Sequence, residues 1–182
     1  MKFKTMVVSV LAISTVIFLL VLSFQEIQAK GSEVVSNLRN DRVVELTINA
    51  AEHGDKEAQS NLGRMYETGN GIKQDYREAA KWYLKSAEQG HSIAQFNLAL
   101  LYIKGYGVEK NLHLAKEWYI KAAVQGNANA QVNLATMYID GRAGATDYIQ
   151  AQKWFLEAAK MNNTIAMYNL AYMYYVGAGV PK

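Results

Sequence analysis

The 182-residue chain contains no cysteine, which excludes a disulfide framework, a thiolate metal site and a lipid anchor attached to cysteine. Its formal net charge is only +3 at pH 7, and no run of lysine and arginine forms a basic stripe. Nucleic acid is therefore not expected as a partner. The histidines, His53, His91 and His113, lack the H-E-x-x-H or H-x-x-E-H spacing of a zinc site, so we expect no bound metal.

Sequence signatures of catalysis are lacking as well. Neither the G-x-S-x-G nor the S-x-x-K nucleophile motif occurs. Gly-x-Gly pairs such as Gly69 with Gly71 follow predicted helices rather than strands, and they lack the third glycine of a nucleotide-binding loop. The residues therefore predict a protein without enzymatic activity, catalytic residues or a cofactor.

An apolar run, residues 6–22, follows Lys2 and Lys4 at the N-terminus. Positive charge before such a run is typical of an export signal, and the positive-inside preference places the following residues outside the cytoplasm. The run is long for a cleaved signal and short for a membrane span of about 20 residues. Residues 1–29 are thus predicted as a signal peptide or an N-terminal anchor, and the polar residues 30–40 as a linker. We expect a periplasmic or secreted protein, or one anchored in the inner membrane with its repeats outside the cytoplasm.

From residue 41 onward the sequence repeats itself every 36 residues without insertion or deletion. Equivalent positions hold the same residue type. Examples are Ala58, Ala94, Ala130 and Ala166; Leu62, Leu98, Leu134 and Leu170; Tyr66, Tyr102, Tyr138 and Tyr174; and Trp82, Trp118 and Trp154. A fixed period of this length is the signature of a solenoid, in which each repeat stacks on its neighbours.

Helical periodicity divides each 36-residue unit into two helices. In the first unit, Ala58 and Leu62 share one face of a helix that Asp55 can cap and Gly69 can end. A second amphipathic segment follows at about residues 75–89. The predicted fold class is therefore all-α, an α-solenoid with about eight helices after the N-terminal signal or anchor.

The predicted solenoid covers residues 41–182. It consists of a half repeat, three complete repeats and a partial repeat, at residues 41–53, 54–89, 90–125, 126–161 and 162–182. The half repeat matches the second helix of a unit and is expected to cap the array. The last helix, 164–176, has no second helix after it, which predicts docking or self-association through that helix. The alternative is a truncated sequence.

The motif A-x-x-N-L-G-x-M-Y-x-x-G-x-G-I, followed by A-x-x-W-Y-x-K-S-A-E-Q-G, stands between Ala58 and Gly90. In these residues the chain resembles Sel1-like repeat proteins, relatives of the tetratricopeptide repeat family. The resemblance implies a right-handed superhelix of antiparallel helix pairs, a scaffold or adaptor role and, for bacterial members, export. Some cysteine-rich members are linked to β-lactam binding or hydrolysis, but their paired cysteines are missing here.

A second stripe on the first helix of each unit changes character along the chain. By analogy with the tetratricopeptide family, these positions line the concave surface; the first unit is polar there, with Glu57, Ser60, Arg64 and Glu67. Later units are mainly apolar at the same positions, and we call these the groove residues: Ile93, Phe96, Leu100, Ile103, Val132, Ile139, Ile165, Tyr168, Tyr172 and Tyr175. A second apolar stripe predicts a tyrosine-rich binding groove, or else packing against neighbouring helices.

Asparagine recurs beside the packing stripe, at Asn61, Asn97, Asn133 and Asn169. In tetratricopeptide relatives an asparagine at this place can hold a peptide backbone or carboxylate. Asn97, Asn133 and Asn169 are therefore added to the candidate binding residues. The alternative is that each amide bonds to a neighbouring helix or turn.

Together these features favour an exported, non-enzymatic scaffold that binds a peptide or protein partner of unknown identity in the groove. One alternative is an envelope hydrolase or β-lactam-binding enzyme of the Sel1-like type, against which the missing cysteines and nucleophile motif argue. The other alternative is a membrane-anchored envelope assembly factor, which N-terminal sequencing of the exported form would separate from a soluble one.

Overall fold

A computed structural model describes residues 2–179, without the side chains of residues 2–21, 27, 37 and 39. This part of the chain forms eight helices and no strand. The helices are α1 (Lys2–Glu52), α2 (Lys56–Thr68), α3 (Tyr76–Glu88), α4 (Ser92–Lys104), α5 (Leu112–Val124), α6 (Ala128–Asp140), α7 (Tyr148–Lys160) and α8 (Thr164–Val176). The predicted all-α class is confirmed.

Helix α1 is 51 residues long and includes the predicted linker, residues 30–40. That segment is helical although it is polar, because it contains no proline and only one glycine, Gly31. The chain divides into two compact units, Met1–Val44 and Glu45–Lys182. Most of the apolar run 6–22 lies outside the residues whose side chains are described. Among the described residues, no helix is both long and apolar enough to cross a membrane.

Helices α2 to α8 have the same length, 13 residues, because equivalent residues start and stop them. The N-cap side chains accept a backbone amide at Asp55, Asp75, His91, Asn111, Asn127, Asp147 and Asn163. Gly69, Gly105, Gly141 and Gly177 end the first helices in the left-handed conformation. Asn162 adopts the same conformation, φ 61°, where Gly54, Gly90 and Gly126 stand in other units.

The core of the repeats is a row of buried clusters in which alanines allow close helix contact and large side chains fill the gaps. Tyr83, Tyr119 and Phe155 occupy one position of three successive second helices, and all three are fully buried. Trp118 is half-buried against two successive clusters and so links neighbouring repeats. From α2 to α8, successive helices thus pack against one another, as a solenoid requires.

The turns after the first helices pack closely on the preceding repeat. A Cβ at Gly107, where φ is +70°, would clash with the carbonyl oxygen of Tyr76, at the start of α3. The third unit has Ala143 at this place, and the positive φ moves to Gly144, at +132°. Only glycine fits the regular turn, so the substitution in the third unit comes with a different backbone path.

A ladder of buried glutamines also connects the helices. Gln59, Gln95 and Gln131 each donate their side-chain amide to a backbone carbonyl eight residues earlier, over 3.0 Å. These buried amides fix the starts of α2, α4 and α6 on the end of the helix before each of them. The recurrence of these glutamines every 36 residues is visible in the sequence. The hydrophobic pattern alone does not indicate that they are buried.

Candidate functional site

The groove residues of α4 are only partly available to a partner. Ile93 is exposed, whereas Phe96, Leu100 and Ile103 are half-buried against a cluster that includes Tyr119. The ring of Phe96 lies 5.7 Å from that of Tyr119, centroid to centroid. This part of the stripe therefore contributes to packing and presents a partly open apolar surface.

The groove residues of α6 are more deeply packed. Val132 is buried at 8% exposure, and Ile139 is half-buried against the same cluster, which contains Phe155 and Met173. Of the three units that contain groove residues, the third thus offers the least apolar surface. Here the packing alternative accounts for most of the apolar pattern.

The groove residues of α8 are open. Tyr168, Tyr172 and Tyr175 are 73%, 56% and 88% exposed, and Ile165 is exposed beside them. The three tyrosines hold the register positions of the half-buried Phe96, Leu100 and Ile103 of α4, and Ile165 holds that of the exposed Ile93. The stripe therefore ends in a cluster of exposed tyrosines on one helix.

A polar cleft of about 320 Å³ lies between α2 and α4. Its walls include the charged side chains Glu57 and Arg64 of α2, and the groove residue Ile93 and the candidate binding residue Asn97 of α4. His91, the N-cap of α4, also lines it, and burial lowers the pKa of its imidazole. The cleft combines one carboxylate, one guanidinium and two amides, those of Asn61 and Asn97, with the apolar side chain of Ile93.

A second cleft, of about 200 Å³, lies between α4 and α6. Leu100 and Ile103 form its apolar side, and Asn133 and Thr136 of α6 face them. The structure thus brings Ile93 and Asn97 together in one cleft, and Leu100, Ile103 and Asn133 in the next. Successive first helices leave these clefts between them.

The amide of Asn97 has an internal partner. The Asn97 side chain lies next to the phenol of Tyr83 and acts to lower its pKa, and this phenol donates to Oε2 of Glu67 over 2.7 Å. Burial and the Glu67 carboxylate both raise the pKa of Tyr83. The recurring asparagine is therefore tied to the second helix of the preceding unit, although its side chain also lines the polar cleft.

Asn133 repeats this contact and Asn169 does not. Asn133 donates from Nδ2 to the Tyr119 phenol over 2.9 Å, and burial raises the pKa of Tyr119 to about 12. Asn169 has Phe155 at the tyrosine position and donates instead to the Ile165 carbonyl of its own helix, over 2.8 Å. Sequence reasoning missed the two tyrosines as asparagine partners, although they recur at a 36-residue interval.

The side chains that line the two clefts can make apolar contacts and hydrogen bonds. Within residues 2–179, no group of three or more histidine or acidic side chains is arranged to hold a metal ion. The polar groups that line the clefts are amides, hydroxyls and isolated charges, next to apolar and aromatic surface. Such a surface can hold an extended chain by side-chain contacts and amide hydrogen bonds.

Comparison with known proteins identifies the repeat. The family model described as Sel1 repeat matches residues 56–91, 92–127, 128–163 and 164–182. One similar solved structure is a protective antigen from uropathogenic Escherichia coli strains that displays an SLR fold, with 35% identity and a TM-score of 0.76. Another is a Sel1 repeat protein from Oxalobacter formigenes, with 31% identity and a TM-score of 0.71.

These similarities cover most of this chain but not most of the relatives. Each covers 81% of this chain, which spans 34% of the Escherichia coli protein and 63% of the Oxalobacter formigenes protein. None of the curated proteins matches the chain. The predicted resemblance and the solenoid fold are confirmed by the family match and by both structures.

Proposed function

Because the chain belongs to the Sel1 repeat family, whose members generally mediate protein–protein interactions, we propose that it is a scaffold that binds a peptide or protein segment along the groove residues. The family is typically non-catalytic, and we propose the same for this chain. The observation that carries the proposal is the row of exposed tyrosines, Tyr168, Tyr172 and Tyr175, on one stripe of α8. Exposed aromatic side chains in a row are typical anchors of a binding surface.

Tyrosine is suited to this task. Its ring buries a large apolar area, it loses few rotamers on binding, and its hydroxyl can bond to a backbone group of the partner. The exposed tyrosines lie at one end of the groove residues, and the cleft with Glu57 and Arg64 lies at the other. The partner we propose is therefore a segment with apolar or aromatic side chains at one end and a polar or charged group at the other.

The test is a selection of binding peptides against the full chain, followed by measurement with the double variant Tyr168→Ser/Tyr172→Ser. Two aromatic anchors at about 2 kcal/mol or more each predict a loss of at least about 30-fold in affinity even if only one of them contributes. The far-ultraviolet circular dichroism should stay unchanged, because both side chains are exposed.

Tyr148→Ser is the matched control. Tyr148 is an exposed tyrosine at the start of α7, outside the groove residues. This variant should bind like the parent chain. Equal binding by the double variant and the parent would overturn the groove proposal.

We also propose that the repeats act outside the cytoplasm, exported by the segment that contains residues 6–22. The order Lys2, Lys4 and then an apolar run supports this proposal. N-terminal sequencing of the protein from the envelope fraction distinguishes a cleaved signal from an anchor. Recovery of the whole protein from the cytoplasm would contradict export.

The last part of the proposal is self-association through α8. This helix has exposed apolar side chains on more than one face, including Met167 and Tyr174 outside the groove residues. Association would remove that apolar surface from water. The concentration dependence of the sedimentation coefficient tests for it, and one mass at all concentrations would contradict it.

A further inference from the structure

One face of α8 is uncovered where the equivalent faces of earlier first helices are buried. In the third unit, Gln131 is 5% exposed and Ala135 is fully buried in the repeat core. The equivalent residues of α8 are Met167, at 42% exposure, and Ala171, which is also exposed. Tyr174 belongs to the same face and is 53% exposed, whereas Tyr138 is half-buried. Among the described residues, nothing covers this face of α8.

The end of α1 shows the complementary situation. Residues 45–52 align with the second helix of a unit, with Leu46 at the Trp82 position and Ala50 at the Ser86 position. Ser86 is fully buried and donates to the Lys56 carbonyl, at the start of the first helix of its own unit. Leu46 is 54% exposed, and Ala50 is only half-buried. The face that packs on a first helix in α3 is therefore partly open in α1.

We propose that α8 of one copy packs against residues 45–52 of α1 of a second copy. The pair would reproduce the contact of α2 with α3, α4 with α5 and α6 with α7, which is the most extensive contact in the solenoid. The open face of α8 thus suits a helix whose residues are arranged as in the second helix of a repeat. Residues 45–52 of this chain form such a helix. The inference rests on the self-association part of the proposed function and names its two surfaces.

The side chains of α8 and of residues 45–52 are compatible with this contact between copies, which we call the joint. Within complete units, the exposed Gln125 donates to the buried Gln95, whose side-chain oxygen would lack a partner if Gln125 were missing. At the joint, Met167 stands in the place of Gln95 and His53 in the place of Gln125. Met167 has no strong donor or acceptor, and the Nδ1 atom of His53 lies 2.7 Å from the Asn49 carbonyl oxygen of its own helix. The joint would bury no orphaned amide.

The contact is heterologous, because the two copies use different surfaces. Each added copy presents the same two ends again, so the association forms rows of copies unless the geometry closes a ring. The groove residues of α8 are on another stripe of the helix and take no part. Binding of a peptide at Tyr168 and Tyr172 is therefore independent of the joint.

The absence of native cysteine makes site-specific cross-linking direct. The full chain is prepared as two variants, Leu46→Cys and Tyr174→Cys, in a mild detergent. In the first unit the equivalent side chains, Trp82 and Tyr66, pack against the same buried cluster. Mixing the variants with a short bismaleimide should give a cross-linked dimer at least about 10-fold above the mixture of Leu46→Cys with Lys153→Cys, as expected for a pair held at short range.

Lys153 is exposed on α7, so the control pair measures random encounter. A dimer yield from Leu46→Cys with Tyr174→Cys equal to that control would overturn the proposal. A high yield from Tyr174→Cys alone would also overturn it, since two α8 helices would then face each other. Failure of the peptide-binding proposal can be distinguished from failure of this one. The variant Tyr168→Ser/Tyr172→Ser should lose peptide binding and still form this cross-link.

Discussion

Gln125 donates its side-chain amide to the side-chain oxygen of Gln95 over 2.8 Å, and one repeat earlier Gln89 does the same to Gln59 over 2.7 Å. The next repeat lacks the donor, because Met161 stands at the position of Gln89 and Gln125. The side-chain oxygen of Gln131 is accordingly buried and has no hydrogen-bond partner among the described residues. A buried acceptor without a partner lowers stability, so this position is open to improvement.

Met161→Gln should raise the free energy of unfolding by about 1 kcal/mol, the usual net value of a hydrogen bond that satisfies a buried group. Met161 is half-exposed, at 53%, so the substitution removes little apolar packing. Chemical denaturation of the parent and the variant measures the difference. Met161→Leu is the control, because it cannot donate, and a gain of the same size in this variant would contradict the explanation.

Gly107 provides a test of how tightly the turns pack. Gly107→Ala should lower the free energy of unfolding by about 3 kcal/mol or more, since it adds a clash with the Tyr76 carbonyl to the cost of a left-handed alanine. Gly126→Ala is the matched control, with φ +83° and no atom within 4 Å of the added Cβ. It should lose only about 1 kcal/mol, from the backbone conformation alone. Equal losses in the two variants would show that the close approach is not rigid.

The sequence predicts the fold of this protein well because the 36-residue period repeats every local signal several times. Caps such as Asp55 and stops such as Gly69 appear at the predicted places, since their chemistry acts within one turn of helix. Residues 30–40, predicted as a linker, lie within helix α1. Polar composition alone does not distinguish a linker from an exposed helix. Period and capping therefore locate the repeats better than they locate the helix before them.

The candidate site is less predictable, because exposure depends on which neighbour covers a helix face. Leu100 and Tyr172 hold the same register position in their units, yet Leu100 packs against a cluster and Tyr172 is exposed. Periodicity assigns both residues to the same stripe, but it does not show which neighbouring helix covers that stripe. The partner of Asn133, Tyr119, lies 14 residues earlier on another helix, so its hydrogen bond becomes visible only when the two helices are packed.

Asn133 and Asn169 have different hydrogen-bond partners. Their alanine variants therefore distinguish an amide that stabilises the fold from an amide that is available for binding. Asn133→Ala leaves the buried Tyr119 phenol without its partner and should lower the free energy of unfolding by about 1–3 kcal/mol. Asn169→Ala breaks only a bond to its own helix and should change stability by less than about 0.5 kcal/mol. Thermal melts give both values, and the selected peptide should bind Asn169→Ala more weakly if that amide serves the groove. A large stability loss in Asn169→Ala would place this residue with the structural amides.

Tyr119→Phe should change the response of the protein to alkaline pH. Burial raises the pKa of Tyr119 from 10.0 to about 12, so the unfolded chain releases this proton before the folded chain does. The stabilisation that follows from this difference is fully present below pH 10 and is lost as the pH rises from 10 to about 12. Phenylalanine at the equivalent position, Phe155, is already fully buried, which shows that the core accepts the ring without its hydroxyl.

At pH 7 the variant should be less stable than the parent by about 1 kcal/mol, because Asn133 loses its hydrogen-bond partner. Between pH 10 and 12 this gap should narrow, since only the parent must keep a buried phenol protonated. Denaturation curves at steps across this range measure it, and titration of the other tyrosines cancels because both proteins carry them. A gap that stays constant up to pH 12 would mean that Tyr119 titrates alike in the folded and unfolded chains, and that its burial does not hold the proton.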